Sequence, residues 1–205
     1  GIKPVVSVER QYHKDGSSSH IVGYVSDTSA KDLENSKLLR EINIPGLKTG
    51  KNGLEKSLNN LMIGVPGLQR FEVNAYGKRI KELDIIKGTA GKNVRTTLDQ
   101  EVQQFTIGLL KDKSGSVCVM DIYTGDIVCM VSSPTYDPNK FVHGISKDYW
   151  STLINDKMKP LINKPMAGLY PPGSTIKPIV ALSALENDVV STKLIVECRG
   201  SVERY

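Results

Sequence analysis

An α+β fold in two parts is what this sequence predicts, and three observations predict it. Short strand-like runs occur among stretches with helical apolar spacing, without the regular strand–helix alternation of a parallel α/β sheet. A stretch rich in glycine and polar groups, Ile86-Lys87-Gly88-Thr89-Ala90-Gly91-Lys92-Asn93-Val94-Arg95, divides the chain and sets the boundary between residues 1–88 and residues 89–205. A proline-bounded turn, Tyr170-Pro171-Pro172-Gly173, then leads into a strongly helical segment that runs from Thr175 to about Glu186.

Within residues 1–88, the loose alternation of Pro4 to Tyr12 predicts a strand that ends at Lys14-Asp15-Gly16, and Ile21 to Val25 a second short one. Ser29 can cap a helix running to about Glu41, before Pro45-Gly46 breaks the chain. Leu54, Leu58 and Leu61 lie at helical spacing, which predicts a helix from Leu54 to Met62. Phe71–Asn74 and Arg79–Leu83 read as two strands around a turn at Tyr76-Gly77.

Within residues 89–205, Thr97 or Asp99 can cap a helix from about Gln100 to Leu110, with Val102, Phe105, Leu109 and Leu110 as its apolar side. Gly115–Ile122 and Asp126–Ser132, joined by Tyr123-Thr124-Gly125, are apolar on both faces, which predicts a strand pair covered above and below. A polar loop is expected from Ser133 to about Asp148, and a short helix from Lys147 to Ile154.

Composition narrows the function classes. With 205 residues, 39% hydrophobic and 24% charged, the chain can bury a core and is not a disordered segment. Its net charge of +5 comes from 27 basic residues interleaved with 22 acidic ones. No coherent basic stripe results, so nucleic-acid binding is not expected. No apolar run approaches the roughly 20 residues of a membrane span, and the N-terminal residues do not read as a signal peptide. Cys118, Cys129 and Cys198 lack ligand-like spacing, so neither zinc nor a disulfide framework is indicated. Cys118 and Cys129 fall on the two arms of the second hairpin. A bridge between them is one option; two buried thiols acting as small apolar residues is the preferred one. His13, His20 and His143 are isolated and read as surface or loop residues, and Trp150 as a packing residue.

The chemistry concentrates at Gly168-Leu169-Tyr170-Pro171-Pro172-Gly173-Ser174-Thr175-Ile176-Lys177-Pro178. If Ser174 caps the helix, Lys177 lies about one turn further along on the same side. A serine hydroxyl becomes a useful nucleophile when a nearby base takes its proton, and a lysine serves once burial lowers its pKa. The helix N-terminus favours a developing oxyanion at the same place. Ile176, Ile179, Val180, Ala181, Leu182, Ala184 and Leu185 make this helix apolar nearly all round, which predicts that it is buried. Ser174 and Lys177 are therefore the candidate catalytic pair. The bare Ser-x-x-Lys spacing is weak support, since about one match is expected by chance in a chain of this composition.

The segment Tyr170 to Pro178 resembles the active-site segment of the class B penicillin-binding proteins, and among these the elongation-type transpeptidases. Other segments are similar in the same order: Gly50-Lys51-Asn52-Gly53-Leu54-Glu55, Asn74-Ala75-Tyr76-Gly77-Lys78-Arg79, Thr97-Leu98-Asp99, Asp121-Ile122-Tyr123-Thr124-Gly125 and Ser133-Pro134-Thr135-Tyr136-Asp137-Pro138-Asn139. The resemblance implies a non-catalytic pedestal or dimerisation-type domain over residues 1–88. It implies the N-terminal portion of a serine transpeptidase domain, of the β-lactamase/transpeptidase-like class, over residues 89–205. It further implies a peptidoglycan D,D-transpeptidase that acts on the D-Ala-D-Ala stem peptide, is blocked by β-lactam antibiotics, needs no cofactor or metal, and works with other cell-wall elongation proteins. The parent would be anchored by a helix absent here, facing the periplasm from the bacterial cytoplasmic membrane.

Two further family motifs, a Ser-x-Asn and a Lys-Thr/Ser-Gly on an edge strand, do not follow Lys177. Lys48-Thr49-Gly50 and Ser57-Leu58-Asn59 imitate them in the wrong order and the wrong half, beside loop and helix signals, and read as coincidence. The chain alone is accordingly expected to be inactive. Two alternatives remain at this point: a β-lactamase or β-lactam sensor sharing the Ser-x-x-Lys core, and a partner-binding fragment without enzymatic activity.

Overall fold

Local signals build the first part of the chain much as expected but in shorter pieces. The computed structural model describes residues 9–42, 44–195 and 200, and they fall into two units, residues 1–168 and residues 169–205. The first unit opens with α1 (Ser19–Val22), β1 (Val25–Asp27), α2 (Ala30–Asn35), α3 (Lys37–Ile42), β2 (Lys48–Gly50), α4 (Gly53–Ser57) and α5 (Asn59–Met62). The expected strand at Pro4–Tyr12 lies mostly outside the described residues, and residues 9–12 form no regular element. The strand expected at Ile21–Val25 is instead the end of a helical turn followed by β1, because Gly23 (φ +81°) reverses the chain between them.

Ser29 caps α2 through a reciprocal pair: its side chain accepts the Asp32 N–H, and the Asp32 carboxylate accepts the Ser29 N–H at 2.8 Å. The helix predicted from there to Glu41 is broken at Ser36, which is extended (φ −134°, ψ 116°). The helix predicted over Leu54–Met62 is likewise divided at Leu58. β1 and β2 pair antiparallel, Val25 with Gly50 and Asp27 with Lys48. Glycine is required where these pieces meet. A Cβ at Gly50 would collide with the Glu55 backbone, one at Gly23 with the Asn52 carbonyl, and one at Gly53 with the Ile21 carbonyl.

β3 (Leu68–Val73) and β4 (Arg79–Ile86) form the predicted hairpin. Both strands are almost wholly exposed, and the Arg79 guanidinium lies 3.8 Å from the Phe71 ring centre.

Next come α6 (Gln100–Leu109), β5 (Gly115–Met120) and β6 (Ile127–Ser133), the two strands antiparallel. Asp99 caps α6 by accepting the Glu101 and Val102 N–H groups, while Thr97 donates its hydroxyl to the Ile127 carbonyl at 2.7 Å. The side of α6 that is buried is not the predicted one. Gln103 and Thr106 are buried, whereas Phe105 and Leu109 are 67% and 61% exposed. The reason is a hydrogen-bonding demand from β6. The Gln103 amide accepts the Met130 N–H at 2.6 Å and donates to the Met130 carbonyl at 3.1 Å, pairing with the strand edge as another peptide unit would. The strand pair is covered less than predicted: β6 is buried toward its end, and β5 is largely exposed among the described residues.

The core lies in the stretch expected to be a polar loop. Tyr136, Phe141 and Leu153 are buried together, with Tyr24, Ile145, Tyr149 and Leu161 packed around them. Tyr24 stacks on Phe141 with ring centres 4.3 Å apart, and Tyr136 meets Phe141 edge-on at 5.3 Å. α7 (Asn139–Val142), α8 (Lys147–Asn155) and α9 (Lys164–Ala167) carry this stretch, with Ser146 capping α8. Trp150, read as a packing residue, is 42% exposed.

Asn139 repeats the device used by Gln103: its side-chain amide accepts the Tyr12 N–H at 2.8 Å and donates to the Tyr12 carbonyl at 3.1 Å. Together with Thr135 Oγ1 donating to the Gly16 carbonyl (2.7 Å), these bonds stitch residues 12–19 onto the α6–β6 and α7 segments.

Candidate active site

The second unit contains the predicted catalytic pair. Gly173 has φ +53°, and with the two prolines before it the chain turns sharply into a 3-10 turn, Gly173–Ile176, that runs straight into α10 (Lys177–Glu186). Ser174 therefore lies inside the tight first turn and not at the N-cap, where the sequence placed it. Pro178 supplies the physical reason. It has no N–H to give the Ser174 carbonyl four residues back, so that carbonyl accepts instead from the Lys177 N–H, one residue nearer, and the turn tightens. The Thr175 hydroxyl and N–H both donate to the Pro172 carbonyl, the latter at 3.1 Å, which fixes the turn in front of the serine.

Ser174 and Lys177 remain one turn apart at the head of the helix, where N–H groups and the helix dipole favour negative charge. Both are exposed, and among the described residues no hydrogen bond joins their side chains. The expectation of a buried helix is not met: Ile179, Val180 and Leu182 are 63%, 59% and 61% exposed, and α10 has no buried residue. A single helix cannot cover its own perimeter, and the described residues of this unit supply only one α-helix.

The two imitation motifs belong to the first unit. Lys48-Thr49-Gly50 does form a strand, β2, contrary to the loop and helix signals around it. It is built into the packing of the first unit, with Lys48 at the side of a recess it shares with Val25, Glu55 and Val142. Thr49 is 2% exposed, Gly50 abuts the Glu55 backbone, and Lys48 Nζ donates to Asp27 at 2.7 Å and to the Val142 carbonyl at 2.6 Å. Ser57 donates its hydroxyl to the Gly53 carbonyl at 3.1 Å, a local helix contact.

A recess of about 500 Å³ is lined by residues that include Arg95, Thr97, Asp99, Asp121, Thr124 and Asp126. Two of its carboxylates are engaged in turns: Asp99 caps α6, and Asp121 accepts the Thr124 and Tyr123 N–H groups, which lower its pKa. Among the described residues no group of three His, Cys, Asp or Glu side chains could hold a metal ion, and no helix is long and apolar enough to cross a membrane.

The cysteines resolve the choice left open by the sequence. Cys118 sits opposite Met130 and Cys129 opposite Val119, so their side chains leave opposite faces of the hairpin and are free thiols. Cys129 is buried as expected and Cys118 is exposed; Cys198 lies outside the described residues. His143 is exposed and contacts Glu9, but His20, expected at the surface, is only 7% exposed. Histidine in a Ser-Ser-Ser-His-Ile run carries no periodic signal of burial, so its position emerges only from the contacts described below.

Comparison with known proteins accounts for both parts of the chain. The family model for the penicillin-binding protein dimerisation domain matches residues 1–96, and that for the penicillin-binding protein transpeptidase domain matches residues 115–204. The peptidoglycan D,D-transpeptidase MrdA of Salmonella typhimurium is 40% identical over 86% of this chain, and that of Escherichia coli K12 is 37% identical over 98%. The chain spans 29% and 33% of those relatives' lengths. Among solved structures, a penicillin-binding protein (PBP2) of Helicobacter pylori in complex with MreC superposes with a TM-score of 0.74 at 33% identity, covering 88% of this chain and 33% of that one. PBP2 of Pseudomonas aeruginosa in complex with WCK 5153 gives 0.73 at 29% identity, covering 93% and 39%.

Proposed function

Because this chain belongs to the penicillin-binding proteins, joining their dimerisation domain to the start of their transpeptidase domain, we propose that it is part of a peptidoglycan D,D-transpeptidase of cell-wall elongation in which Ser174 is the acylated nucleophile and Lys177 its base. The observation that carries this reading is the head of α10. A proline-bounded turn presents a serine inside the first helical turn, with a lysine three residues on and the positive end of the helix dipole behind it.

The Ser174 hydroxyl attacks the carbonyl of the penultimate D-alanine while Lys177 removes its proton. The Oγ–C bond forms, the amide C–N bond to the terminal D-alanine breaks, and the proton goes to the departing amine. The amine of a neighbouring stem peptide then attacks the ester, forms the cross-link and restores the serine. Backbone N–H groups at the head of the helix stabilise the oxyanion of each tetrahedral intermediate. No step calls for a cofactor. A β-lactam substitutes for the donor peptide and stays on Ser174.

The non-catalytic part extends to about residue 88 and the transpeptidase part begins at residue 89. The remaining transpeptidase motifs and the membrane anchor belong to the rest of the parent protein, which faces the periplasm from the cytoplasmic membrane. The Helicobacter relative solved with MreC supports a place among elongation proteins.

Peptide mapping of the full-length protein after incubation with penicillin tests the assignment. Lys159, Lys164 and Lys177 each precede proline, so trypsin leaves Met158–Lys193 as one peptide. The adduct is expected on that peptide, at Ser174, and an adduct on any other serine overturns the reading.

A further inference from the structure

His20 is a buried titratable group that the proposed chemistry does not use. It lies in α1, 7% exposed, with Nε2 2.7 Å from the Pro160 carbonyl, so Nε2 carries the proton and donates. Its own carbonyl accepts from Asn163 Nδ2 at 3.2 Å, and its ring meets Tyr136 edge-on at 5.1 Å. On either side, Ser19 Oγ donates to the Tyr136 carbonyl (2.8 Å) and Tyr136 Oη to the Ser19 carbonyl (3.2 Å). The His20 imidazole, together with the His20 backbone carbonyl, thus joins the N-terminal segment to the 160–163 segment, which precedes α9.

Among the described residues, the charged group that acts on that ring is a cation. Lys164 at the start of α9 is 6% exposed, and its Nζ donates to the Lys159 carbonyl at 3.2 Å. From the other elements packed on α1, β6 (Ile127–Ser133) offers no acid or base besides the Cys129 thiol. In α4, Glu55 is turned to Arg10 (3.0 Å) and Tyr12 (3.1 Å), and Lys56 is exposed. The Tyr136 phenol is held neutral, its pKa pushed up to about 12 chiefly by burial. Asp156 acts on Lys164 and not on His20.

We infer that His20 is an acid-sensitive latch, which holds residues 17–24 to the Pro160–Lys164 segment while neutral and loosens that attachment when protonated. Protonation does not break the Nε2–H bond to Pro160. It places a second positive charge in a buried pocket beside Lys164, without a carboxylate to accept it. Burial first, and Lys164 second, accordingly lower the His20 pKa against the Pro160 bond, which raises it. A histidine whose folded pKa lies below its unfolded value of 6.5 contributes stability that is complete above pH 6.5 and is lost as the pH falls through the folded pKa.

The test uses the full-length protein. Trypsin releases Asp15–Lys31, in which His20 is the only histidine, so deuterium exchange at the imidazole C2, read by mass spectrometry, gives its titration midpoint. A midpoint below 6.5 is expected, and one at or above 6.5 overturns the inference. Amide exchange of peptides covering residues 17–24 and 158–167, corrected for its intrinsic pH dependence, is expected to lose protection between about pH 7.5 and about pH 5. In H20Q, which keeps a donor but cannot charge, that loss should vanish; its persistence overturns the inference. Should H20Q not fold, K164M gives an independent reading: removing the facing cation should raise the His20 midpoint, and an unchanged midpoint overturns the inference.

Discussion

Replacing Gln103 with methionine removes three hydrogen bonds while keeping nearly the same side-chain volume. Gln103 is fully buried, and its amide donates to the Ser17 carbonyl at 3.0 Å and the Met130 carbonyl at 3.1 Å while accepting the Met130 N–H at 2.6 Å. In Q103M these backbone groups stay where they are and lose their partner. An unsatisfied buried group costs about 1–3 kcal/mol, so the three together should cost about 3–9 kcal/mol, with little cavity term because methionine fills the space. Native-state amide exchange of the full-length protein reads this directly. The β6 amides should exchange at least about a hundredfold faster, since 1.4 kcal/mol is about a factor of ten. Gln103→Glu is the control: it keeps the acceptor for Met130 but sets a carboxylate against two carbonyls, and should be worse at neutral pH than in mild acid. A Q103M loss below about 1 kcal/mol would refute the view that the buried amide stands in for a neighbouring strand.

Four other outcomes are expected. Lys177→Met should slow acylation of the full-length protein by penicillin by about 10²–10⁴-fold, the usual contribution of a positioned base, without altering its thermal stability by more than about 1 kcal/mol; stopped-flow acylation and a melting curve check both. Gly108 lies within α6 with open space around it, so Gly108→Ala should stabilise by about 0.5–1 kcal/mol, whereas Gly23→Ala, at φ +81° and against the Asn52 carbonyl, should lower the melting temperature or abolish soluble expression. Against the desolvation of burial, hydrogen bonds from Lys51 and Ser29 lower the Asp32 pKa from 3.8 to about 2, so its contribution is complete above pH 3.8 and disappears as the pH falls through about 2; Asp32→Asn should remove that part of the acid-unfolding curve. A thiol reagent should label Cys118 in the native protein and Cys129 only after unfolding, as peptide mass spectrometry would report.

The sequence alone determined what depends on near neighbours. The Ser29 cap with Asp32, the Asp99 cap, the turn at Tyr76-Gly77 and the helix after the Pro-Pro-Gly turn each arise from a few adjacent residues, and each is present. The ordered motifs likewise identified the family, because their residue types and spacing are local facts. Tertiary structure decided whatever needed a distant partner. The polar-looking Ser133–Asp148 stretch became the core because Tyr24 and Leu161 arrive there to cover Tyr136 and Phe141. α6 turned a glutamine inward because β6 had backbone groups to satisfy, leaving Phe105 and Leu109 outside. His20 was buried by Pro160, 140 residues away. Hydrophobic periodicity registers the average side a residue faces. It is silent on a buried amide or imidazole, whose position is fixed by one hydrogen-bond partner far along the chain.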